Sequence, residues 1–484
     1  MIAFSVVINT HNRADLLEDT LRGLTGLRYP AFEVVVVNGP STDATSDVLA
    51  RWRGRIKIVG CPVPNLAVSR NLGIEAAAGD VVAFIDDDAV PHPDWLTELC
   101  YFYADPRVGG AGGFTLDHTG VRFQARKTVC DRFGNAFERP DDYDERVLNR
   151  AGTSLYPSLL GTNASYRAAA LRAVGGFDPV FAYFLDETDV CLRLVDAAWR
   201  VVYAPEALVF HQFAPSAERD GRRVPRSILR QVISQSYFIW RHGTRQSLEE
   251  SGRQLAVYEA RMRADNARLL ADQAIDLAHK VRLDEELSQG LSQGRAAAFA
   301  GETARVLAAA PAFLPFGAGA RSVAVLARQV SARLQDMVAG LVAGGWTVHL
   351  LCEGEALCSH FHAGVWRHAV VVEPGAGEAL AGARDIPLAV ADWCVAVAGR
   401  FEALQSFRFD AVASCVRELP GAAVLGRVGL LIDDGRTEVP VEARDRVLWG
   451  HFHVGKLIAL ESRAMAAKPV AADAAAALAL LGNK

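Results

Sequence analysis

The chain has 484 residues, which is enough for two or three domains of ordinary size. Apolar residues make up 51% and charged residues 22%, a composition typical of a globular protein and not of a disordered one. The formal net charge of −5 shows no basic excess, so nucleic acid is excluded as an expected partner.

The cysteines and the apolar runs indicate the cellular compartment of the protein. The eight cysteines include no C-x-x-C pair, which argues against a zinc cluster or a disulfide framework and favours a reducing compartment. The first apolar run, at 4–10, has the length of a strand and lacks the flanks of a signal peptide. No apolar run approaches the roughly 18 uninterrupted residues of a membrane-spanning helix. We therefore expect a cytoplasmic protein.

The first part of the chain alternates between apolar strands and amphipathic helices. Strands are predicted at 4–10, 32–39, 56–61 and 80–86, and helices at 13–27, 42–53 and 66–79. Continuous apolar strands that alternate with helices are typical of a parallel sheet covered on both faces. Ligands of such sheets bind at the carboxyl ends of the strands. The segments at these ends are 10–12, 38–41 and 86–88.

The middle of the chain has a different pattern. Residues 101–240 are predicted to mix short strands and helices, with a polar loop at 131–150. Residues 246–296 are charged and helical, with one apolar stripe that includes Tyr258 and Met262. The stripe is too short for a sustained heptad pattern, so a helical linker that packs on its own protein is favoured over an intermolecular coiled coil.

A second α/β unit is predicted near the end of the chain. Its strands are placed at 322–327, 346–354, 409–415 and 428–434, with a helix at 331–345. The predicted organisation is therefore an α/β domain at 1–244, a helical linker region at 245–318 and a Rossmann-like domain at 319–484.

Three aspartates, Asp86, Asp87 and Asp88, follow the predicted strand at 80–86. Mg²⁺ and Mn²⁺ bind carboxylate oxygens together with substrate phosphates, and alternate residues such as Asp86 and Asp88 can face one site. The alternative is a solvated acidic turn in which Asp88 caps the following helix.

A second acidic group, Asp186, Glu187 and Asp189, begins a predicted helix. Carboxylates are favourable at a helix N-terminus because of the helix dipole, so these residues can be simple helix charges. The alternative is that one of them is a general base, whose pKa the neighbouring carboxylates would raise. His211 ends a later strand, as either a structural histidine or a metal ligand.

Five segments, in this order, resemble family 2 glycosyltransferases. They are FSVVINTHNRADLLEDTLRGL, FEVVVVNGPSTDAT, AVSRNLGIEAAAGDVVAFIDDDAVPHPDWL, GTNASYRAAALRAVGGFD and DETDVCLRL. The resemblance covers about residues 3–215 and implies a GT-A fold with a mixed, mostly parallel nucleotide-binding sheet. More weakly, 322–354 resembles the opening βαβ unit in the amino-terminal half of a GT-B (family 4) glycosyltransferase, for which no catalytic residue is assigned.

The resemblance implies a role for each candidate site residue. Contacts with the nucleotide sugar are expected from Thr10, Asn12, Arg13, Asn38, Arg70, Asp86 and Asp87, and metal ligation is expected from Asp88, Asp86 and His211. Asn38 stands where the family usually has an aspartate, so uridine preference is not implied. Asp186 and Glu187 match the family's Glu-Asp pair in reverse order, which makes Glu187 the expected base and Asp186 the alternate.

The function implied is inverting, metal-dependent transfer of a sugar from a nucleotide-diphosphate sugar to a glycan, polysaccharide or lipid-linked acceptor, with Mg²⁺ or Mn²⁺ as cofactor. Lipid-linked acceptors would bring the protein to the inner face of a membrane as a peripheral component. One alternative is an inactive scaffold or binding protein on the same fold. Another is a nucleotidyltransferase, which the absence of glycine from the first loop, NTHNRAD, disfavours. The oligomeric state is not predicted.

Overall fold

The computed structural model describes most of the first three hundred residues and parts of the remainder. The described residues are 1–120, 122–139, 145–216, 218–301, 312–317, 321–326, 332–353, 358–370, 393–396, 423–425, 428–430, 448–453 and 456–461.

A mixed sheet of nine described strands forms the centre of the amino-terminal part. Along this sheet the order is β3-β2-β1-β4-β11-β6-β12-β5, with β7 against β6, and β10-β8-β9 form a separate small sheet. The strands are β1 Phe4–Thr10, β2 Phe32–Asn38, β3 Lys57–Gly60, β4 Val81–Asp86, β5 Ala89–Pro91, β6 Val108–Leu116, β7 Phe123–Ala125, β8 Thr128–Asp131, β9 Ala136–Glu138, β10 Leu155–Ser158, β11 Ala164–Arg167 and β12 Arg200–His211.

Helices cover both faces of this sheet. The helices of this part of the chain are α1 Ala14–Thr25, α2 Thr45–Arg51, α3 Leu66–Ala76, α4 Trp95–Phe102, α5 Ala168–Ala173, α6 Asp186–Asp196, α7 Leu229–His242, α8 Leu248–Ala271 and α9 Leu277–Ala300. Side chains alternate along each strand, so Val6 and Ile8 of β1 pack with α1, α2 and α4, whereas Val7 packs with α3 on the opposite face. The predicted α/β class is confirmed.

The register of the parallel strands sets the position of the site. Strands β3, β2, β1 and β4 are parallel neighbours, and β1 pairs Thr10 with Asn38 and Asn9 with Asp86. The carboxyl ends of β1, β2 and β4 therefore lie side by side. Because the first loop, the 38–41 segment and the aspartates follow these ends, they meet at one edge of the sheet, as the sequence predicted.

The prediction of one polar loop over 131–150 is wrong for part of its length. Strand β9 and a 3-10 helix, Glu145–Leu148, lie within it. The Asp131 side chain organises a tight turn, because its Oδ1 accepts hydrogen bonds from the amides of Phe133 at 2.8 Å and Asn135 at 2.9 Å. This turn brings β9 back against β8, a pairing that side-chain hydrogen bonding makes and that hydrophobic periodicity does not reveal.

Helices α8 and α9 form an antiparallel hairpin that packs on α7. Tyr258 and Met262 of the predicted stripe are buried against Val232 of α7 and Leu283 of α9. Helix α9 approaches α7 closely at a glycine, since a Cβ at Gly294 would lie 2.4 Å from the Ile233 carbonyl oxygen. The helical character of 246–296 and its packing on its own protein are confirmed.

The described part of the second α/β unit contains a sheet with the order β15-β16-β14-β13-β17, and two further strand pairs. Its elements are β13 Arg321–Leu326, α10 Ala332–Ala343, β14 Trp346–Glu353, β15 Cys358–His362, β16 Val365–Val370, β17 Trp393–Ala396, β18 Ala423–Leu425, β19 Val428–Leu430, β20 Leu448–His453 and β21 Lys456–Glu461. The predicted strand at 409–415 lies outside the described residues.

The second unit contacts the first at the turn between β15 and β16. Trp366 packs on Phe210, with ring centroids 4.7 Å apart, and the amide of Ala363 donates to Asp19 Oδ1 at 2.7 Å. The proposed domain boundaries remain a prediction.

Among the helices of the described residues, none has both the length and the apolar character needed to cross a bilayer.

Candidate active site

An open cavity of about 1030 Å³ lies at the carboxyl ends of β1 and β4. Its volume is at the upper end of the usual range for small-molecule sites. Its walls come from loops that follow several strands and from the starts of α3 and α6. The predicted site residues that line it are Thr10, Asn12, Arg13, Arg70, Asp86, Asp87, Asp88, Asp186, Glu187 and His211.

Asp86, Asp88 and His211 form a cluster on one wall of the cavity. One candidate ligand atom from each lies within 4.8 Å of the others. Strand β4 ends at Asp86, and β5 pairs antiparallel with β12, which sets His211 opposite Ala89. His211 Nε2 is 3.1 Å from Asp88 Oδ1 and 3.7 Å from Asp86 Oδ2. The three side chains can therefore hold one cation.

A hydrogen bond on the other side of the ring orients His211. Its Nδ1 lies 2.7 Å from Gln124 Oε1. With that oxygen as acceptor, Nδ1 carries a proton, and Nε2, which faces the aspartates, is the nitrogen that can bind a metal ion once it loses its own proton. Gln124 was not singled out from the sequence, since nothing in its surroundings marks it as a partner of His211.

The electrostatics of the cluster also suit a cation. Burial raises the pKa of Asp86 above its usual value. Burial acts the same way on Asp88, but the hydrogen bond and charge of His211 and the charge of Arg13 hold the pKa of that carboxyl well below its usual range. Burial lowers the pKa of His211, whereas Asp88 more than compensates and raises it. The carboxylates of Asp86 and Asp88 repel each other and share the positive charge of His211 and Arg13. A divalent ion bound between them would reduce that repulsion.

Arg13 and Asp87 lie behind this cluster. Arg13 Nη1 is 3.3 Å from Asp87 Oδ1 and 3.1 Å from Asp88 Oδ2. Burial raises the pKa of Asp87 to about 7 against the opposing charge of Arg13. The structure therefore shows Arg13 neutralising aspartates; its predicted contact with the nucleotide, like that of Asp87, remains a prediction. Asp88 does not cap the next helix, because α4 begins after Asp94.

The first loop and the loop after β2 are joined by Asn12. Its backbone is left-handed, with φ 56°, and its Oδ1 accepts a hydrogen bond from the Thr42 amide at 2.7 Å. Asn38 is the one predicted site residue that does not line the cavity. Its Oδ1 accepts a hydrogen bond from Ser41 Oγ at 2.8 Å, and the neighbouring Gly39 faces the cavity instead. The predicted contact of Asn38 with the nucleobase remains a prediction.

Arg70 binds the acidic pair at the start of α6. Its Nη1 donates a hydrogen bond to Asp186 and lies 3.5 Å from Glu187 Oε2. The guanidinium is buried, stacked 5.1 Å from the Phe177 ring centroid. Gly161 makes room for it, because a Cβ there would lie 2.4 Å from Nη2. The structure thus shows the charge of Arg70 directed at these carboxylates, and the nucleotide contact predicted for it from the sequence remains a prediction.

The two carboxylates of this pair differ in the direction of their pKa shifts and in their exposure. Burial raises the pKa of Asp186 well above its usual value. Burial also opposes ionisation of Glu187, but the hydrogen bond from Asp186 and the charge of Arg70 lower its pKa. The Glu187 side chain is 18% exposed and that of Asp186 is 2% exposed. Asp186 is therefore almost enclosed, and Glu187 is the carboxylate of the pair that a substrate can reach.

Asp189 lies on the opposite side of α6 from the cavity. Its carboxylate pairs with Arg193 at 2.6 Å and with His242 Nε2 at 2.8 Å, both away from the site. These contacts join α6 to α7 and hold the first turn of α6 in place. The sequence could not separate Asp189 from Asp186 and Glu187, because the difference depends on which side of the helix each faces.

Comparisons with known proteins give one consistent result. The sequence model of the family "Glycosyl transferase family 2" matches residues 5–175. Glycosyltransferase AglE of Haloferax volcanii is 31% identical over 224 residues, which cover 44% of this chain and 68% of that protein. Pre-mycofactocin glycosyltransferase of Mycobacterium tuberculosis is 31% identical over 213 residues, covering 43% of this chain and 42% of that protein. The chain thus spans less than half the length of the mycobacterial relative.

Among solved structures, residues 1–349 of S. aureus TarS in complex with UDP-GlcNAc are similar, with a TM-score of 0.40 and 17% identity over 60% of this chain and 81% of that one. The TM-score and the identity are low, so the assignment of the chain to a family depends on the sequence matches.

Proposed function

The chain belongs to glycosyl transferase family 2, and from this premise we propose that it transfers a sugar from a nucleotide-diphosphate sugar to a hydroxyl group. We propose that the acceptor is a glycan, polysaccharide or glycolipid, that Mg²⁺ or Mn²⁺ is required, and that the anomeric carbon is inverted. The observation that carries the proposal is one cavity that holds both the cluster of Asp86, Asp88 and His211 and the accessible carboxylate of Glu187.

The cluster fits a hard divalent ion. Carboxylate oxygens and imidazole nitrogen are ligands that Mn²⁺ and Mg²⁺ accept, and the Gln124 contact fixes the ring of His211 in the required orientation. A bound ion supplies charge neutralisation for the departing diphosphate. Asp86 and Asp88 would hold it from one loop, and His211 from β12.

Glu187 is positioned to take the proton from the acceptor hydroxyl. It lines the cavity and is the more exposed carboxylate of the acidic pair, so it can accept a proton as bond formation proceeds. Asp186 and Arg70 orient it from behind. Holding the hydroxyl beside a fixed base also reduces the entropic cost of bringing the two substrates together.

The same geometry favours a single displacement. A retaining double displacement needs a carboxylate nucleophile in addition to the acid-base residue. Asp186 is almost fully buried and its pKa is raised, so it is a poor candidate for that nucleophile. The metal-cluster aspartates are committed to a cation in this proposal. One base and one metal site are sufficient for inversion.

We further propose how the cavity, the helical hairpin and the second sheet are distributed among the domains of the chain. All residues that line the cavity lie between 9 and 230, within the proposed transferase domain at 1–244. Helices α8 and α9 fall in the proposed linker region at 245–318, and the second sheet in the proposed domain at 319–484.

The stereochemical outcome tests this proposal. We expect an α-linked nucleotide sugar to give a β-linked product, because one displacement inverts the anomeric carbon once. The measurement is proton NMR of the anomeric signal in the product made from ¹³C-labelled donor sugars, Mn²⁺ and glycan or lipid extracts, with a protein-free reaction as control. A product with the anomeric configuration of the donor would contradict it.

A further inference from the structure

An arginine-rich segment, residues 212–230, follows His211 along the rim of the cavity. Its first half is fixed to the aspartate cluster. The amide of Ala214 donates to Asp88 Oδ2 at 2.8 Å, and Arg13 Nη2 donates to the Pro215 carbonyl oxygen at 2.7 Å. The described part of the segment is therefore held beside the metal cluster by specific hydrogen bonds.

The charge of this segment is strongly positive. It contains five arginines, Arg219, Arg222, Arg223, Arg226 and Arg230, against two carboxylates, Glu218 and Asp220. Three of the arginines, Arg219, Arg226 and Arg230, line the cavity, together with Glu218 alone of the two acids. The cavity thus combines an acidic wall at the metal cluster with a basic wall from this segment. Neither the metal nor the base of the proposed function needs these cations.

Arg219 is a fixed cation that has no acidic partner among the described residues. Its guanidinium carbon lies 3.8 Å from the Phe213 ring centroid. Its Nη1 donates to Tyr183 Oη at 2.9 Å, and its Nη2 donates to the Ala214 carbonyl oxygen at 3.4 Å. Its Nε is buried and has no acceptor among the described residues, none of whose carboxylates forms an ion pair with it. A stacked, oriented guanidinium with uncompensated charge is suited to bind an anion.

Arg226 and Arg230 extend this basic wall. Arg230 Nη1 lies 3.3 Å from Glu218 Oε1, which is partly buried. The side chain of Arg226 is exposed at the cavity, while its amide donates to the Glu218 carbonyl oxygen at 2.8 Å. Of these two arginines only Arg230 pairs with the Glu218 carboxylate, so the group retains positive charge beyond that of Arg219.

We propose that Arg219, Arg226 and Arg230 bind a phosphate group of the acceptor. The inference rests on the proposed function and names the chemical class of its acceptor. Tyr183, which orients Arg219, precedes the base Glu187 by four residues, so the basic wall contacts the loop that leads into α6, where the acceptor hydroxyl must bind. The donor diphosphate has its own site at the metal cluster. Arginine forks match phosphate oxygens in geometry and in charge.

Calorimetry on the full chain tests this assignment. The protein is first saturated with Mn²⁺ and a nucleoside diphosphate, either UDP or GDP, and is then titrated with farnesyl phosphate or glycerol 3-phosphate. Farnesol and glycerol serve as uncharged controls. We expect a phosphate probe to bind the nucleotide-saturated protein, and the tighter of the two to distinguish a lipid from a polyol source.

Variants then assign the binding to the arginines. Arg219→Gln and Arg226→Gln are each expected to weaken binding of the probe by about tenfold, since each removes charge-assisted hydrogen bonds. Nucleoside diphosphate affinity should change by less than about twofold. Arg222→Gln is the matched control, because Arg222 is exposed, pairs with Asp220 and does not line the cavity. Thermal melting checks that each variant folds. If Arg219→Gln is unstable, the result with Arg226→Gln decides the test.

Two results would overturn the phosphate site. One is that neither probe binds wild-type protein that does bind the nucleoside diphosphate. The other is that the arginine variants weaken nucleoside diphosphate binding as much as probe binding, which would assign the arginines to the donor. Failure of the proposed function has a different signature, namely no binding of nucleoside diphosphate with Mn²⁺. In that case titration of the probes into nucleotide-free protein still tests the arginines.

Discussion

Glu187→Gln is expected to lower the rate of sugar transfer by at least about 100-fold while leaving the affinity for the donor nucleotide within about twofold. Gln has nearly the shape of Glu and keeps hydrogen-bonding capacity towards Arg70, but it cannot accept the hydroxyl proton. The metal cluster lies on a different loop and keeps its ligands. The measurements are release of nucleoside diphosphate for the rate and calorimetric titration for the affinity.

Asp186→Asn is the matched control for this result. Asn has nearly the shape of Asp and can still donate a hydrogen bond to Glu187, but it cannot take up a proton as a base would. Its rate is therefore expected to stay within about tenfold of wild type. The opposite pattern, with Asp186→Asn inactive and Glu187→Gln active, would assign the base to Asp186 and make Asp186, not Glu187, the ionised member of the pair.

Asp88→Ala is expected to remove Mn²⁺-dependent nucleotide binding, with a loss of affinity of at least about 100-fold. Asp88 is placed to be a ligand, and it also contacts His211 Nε2, Arg13 and the amide of Ala214. Its removal takes away one metal contact and loosens the segment that begins at His211. Calorimetric titration of nucleoside diphosphate with Mn²⁺ and with EDTA measures the effect.

Asp94→Ala provides the control for Asp88→Ala. Asp94 directly precedes α4, its side chain makes no capping hydrogen bond, and it does not line the cavity. Its removal should leave Mn²⁺-dependent binding unchanged, and thermal melting should show both variants folded. Asp88→Ala protein that binds nucleotide with unaltered dependence on Mn²⁺ would disprove the assignment of Asp88 to the metal.

The parallel half of the sheet was predictable because its strands are continuous apolar runs. The predicted strand at 4–10 coincides with β1, and the predicted strand at 80–86 differs from β4 by one residue. Burial on both faces requires such runs, and the turn residues between them mark the boundaries. Once the strands were placed in one parallel sheet, the meeting of Thr10 and Asp86 at a common edge followed from geometry.

The partner of Arg70 and the arginine-rich segment were not predictable in the same way. Arg70 reaches Asp186 across more than a hundred residues of chain, and only the packing of α3 beside α6 brings them together. Arg219 gains its significance from stacking on Phe213 and from Tyr183, which a local pattern does not encode. Residues whose role depends on contacts between distant elements require the structure.

Metal-dependent transfer of sugar from a nucleotide-diphosphate donor is the activity proposed for this cavity. It can be measured as release of nucleoside diphosphate from a panel of nucleotide sugars by wild-type protein with glycan and lipid extracts. We expect release from at least one donor with Mn²⁺, and its loss with EDTA and with Glu187→Gln. No release from any donor with Mn²⁺ and acceptor extracts, or equal release by Glu187→Gln, would contradict the proposed activity.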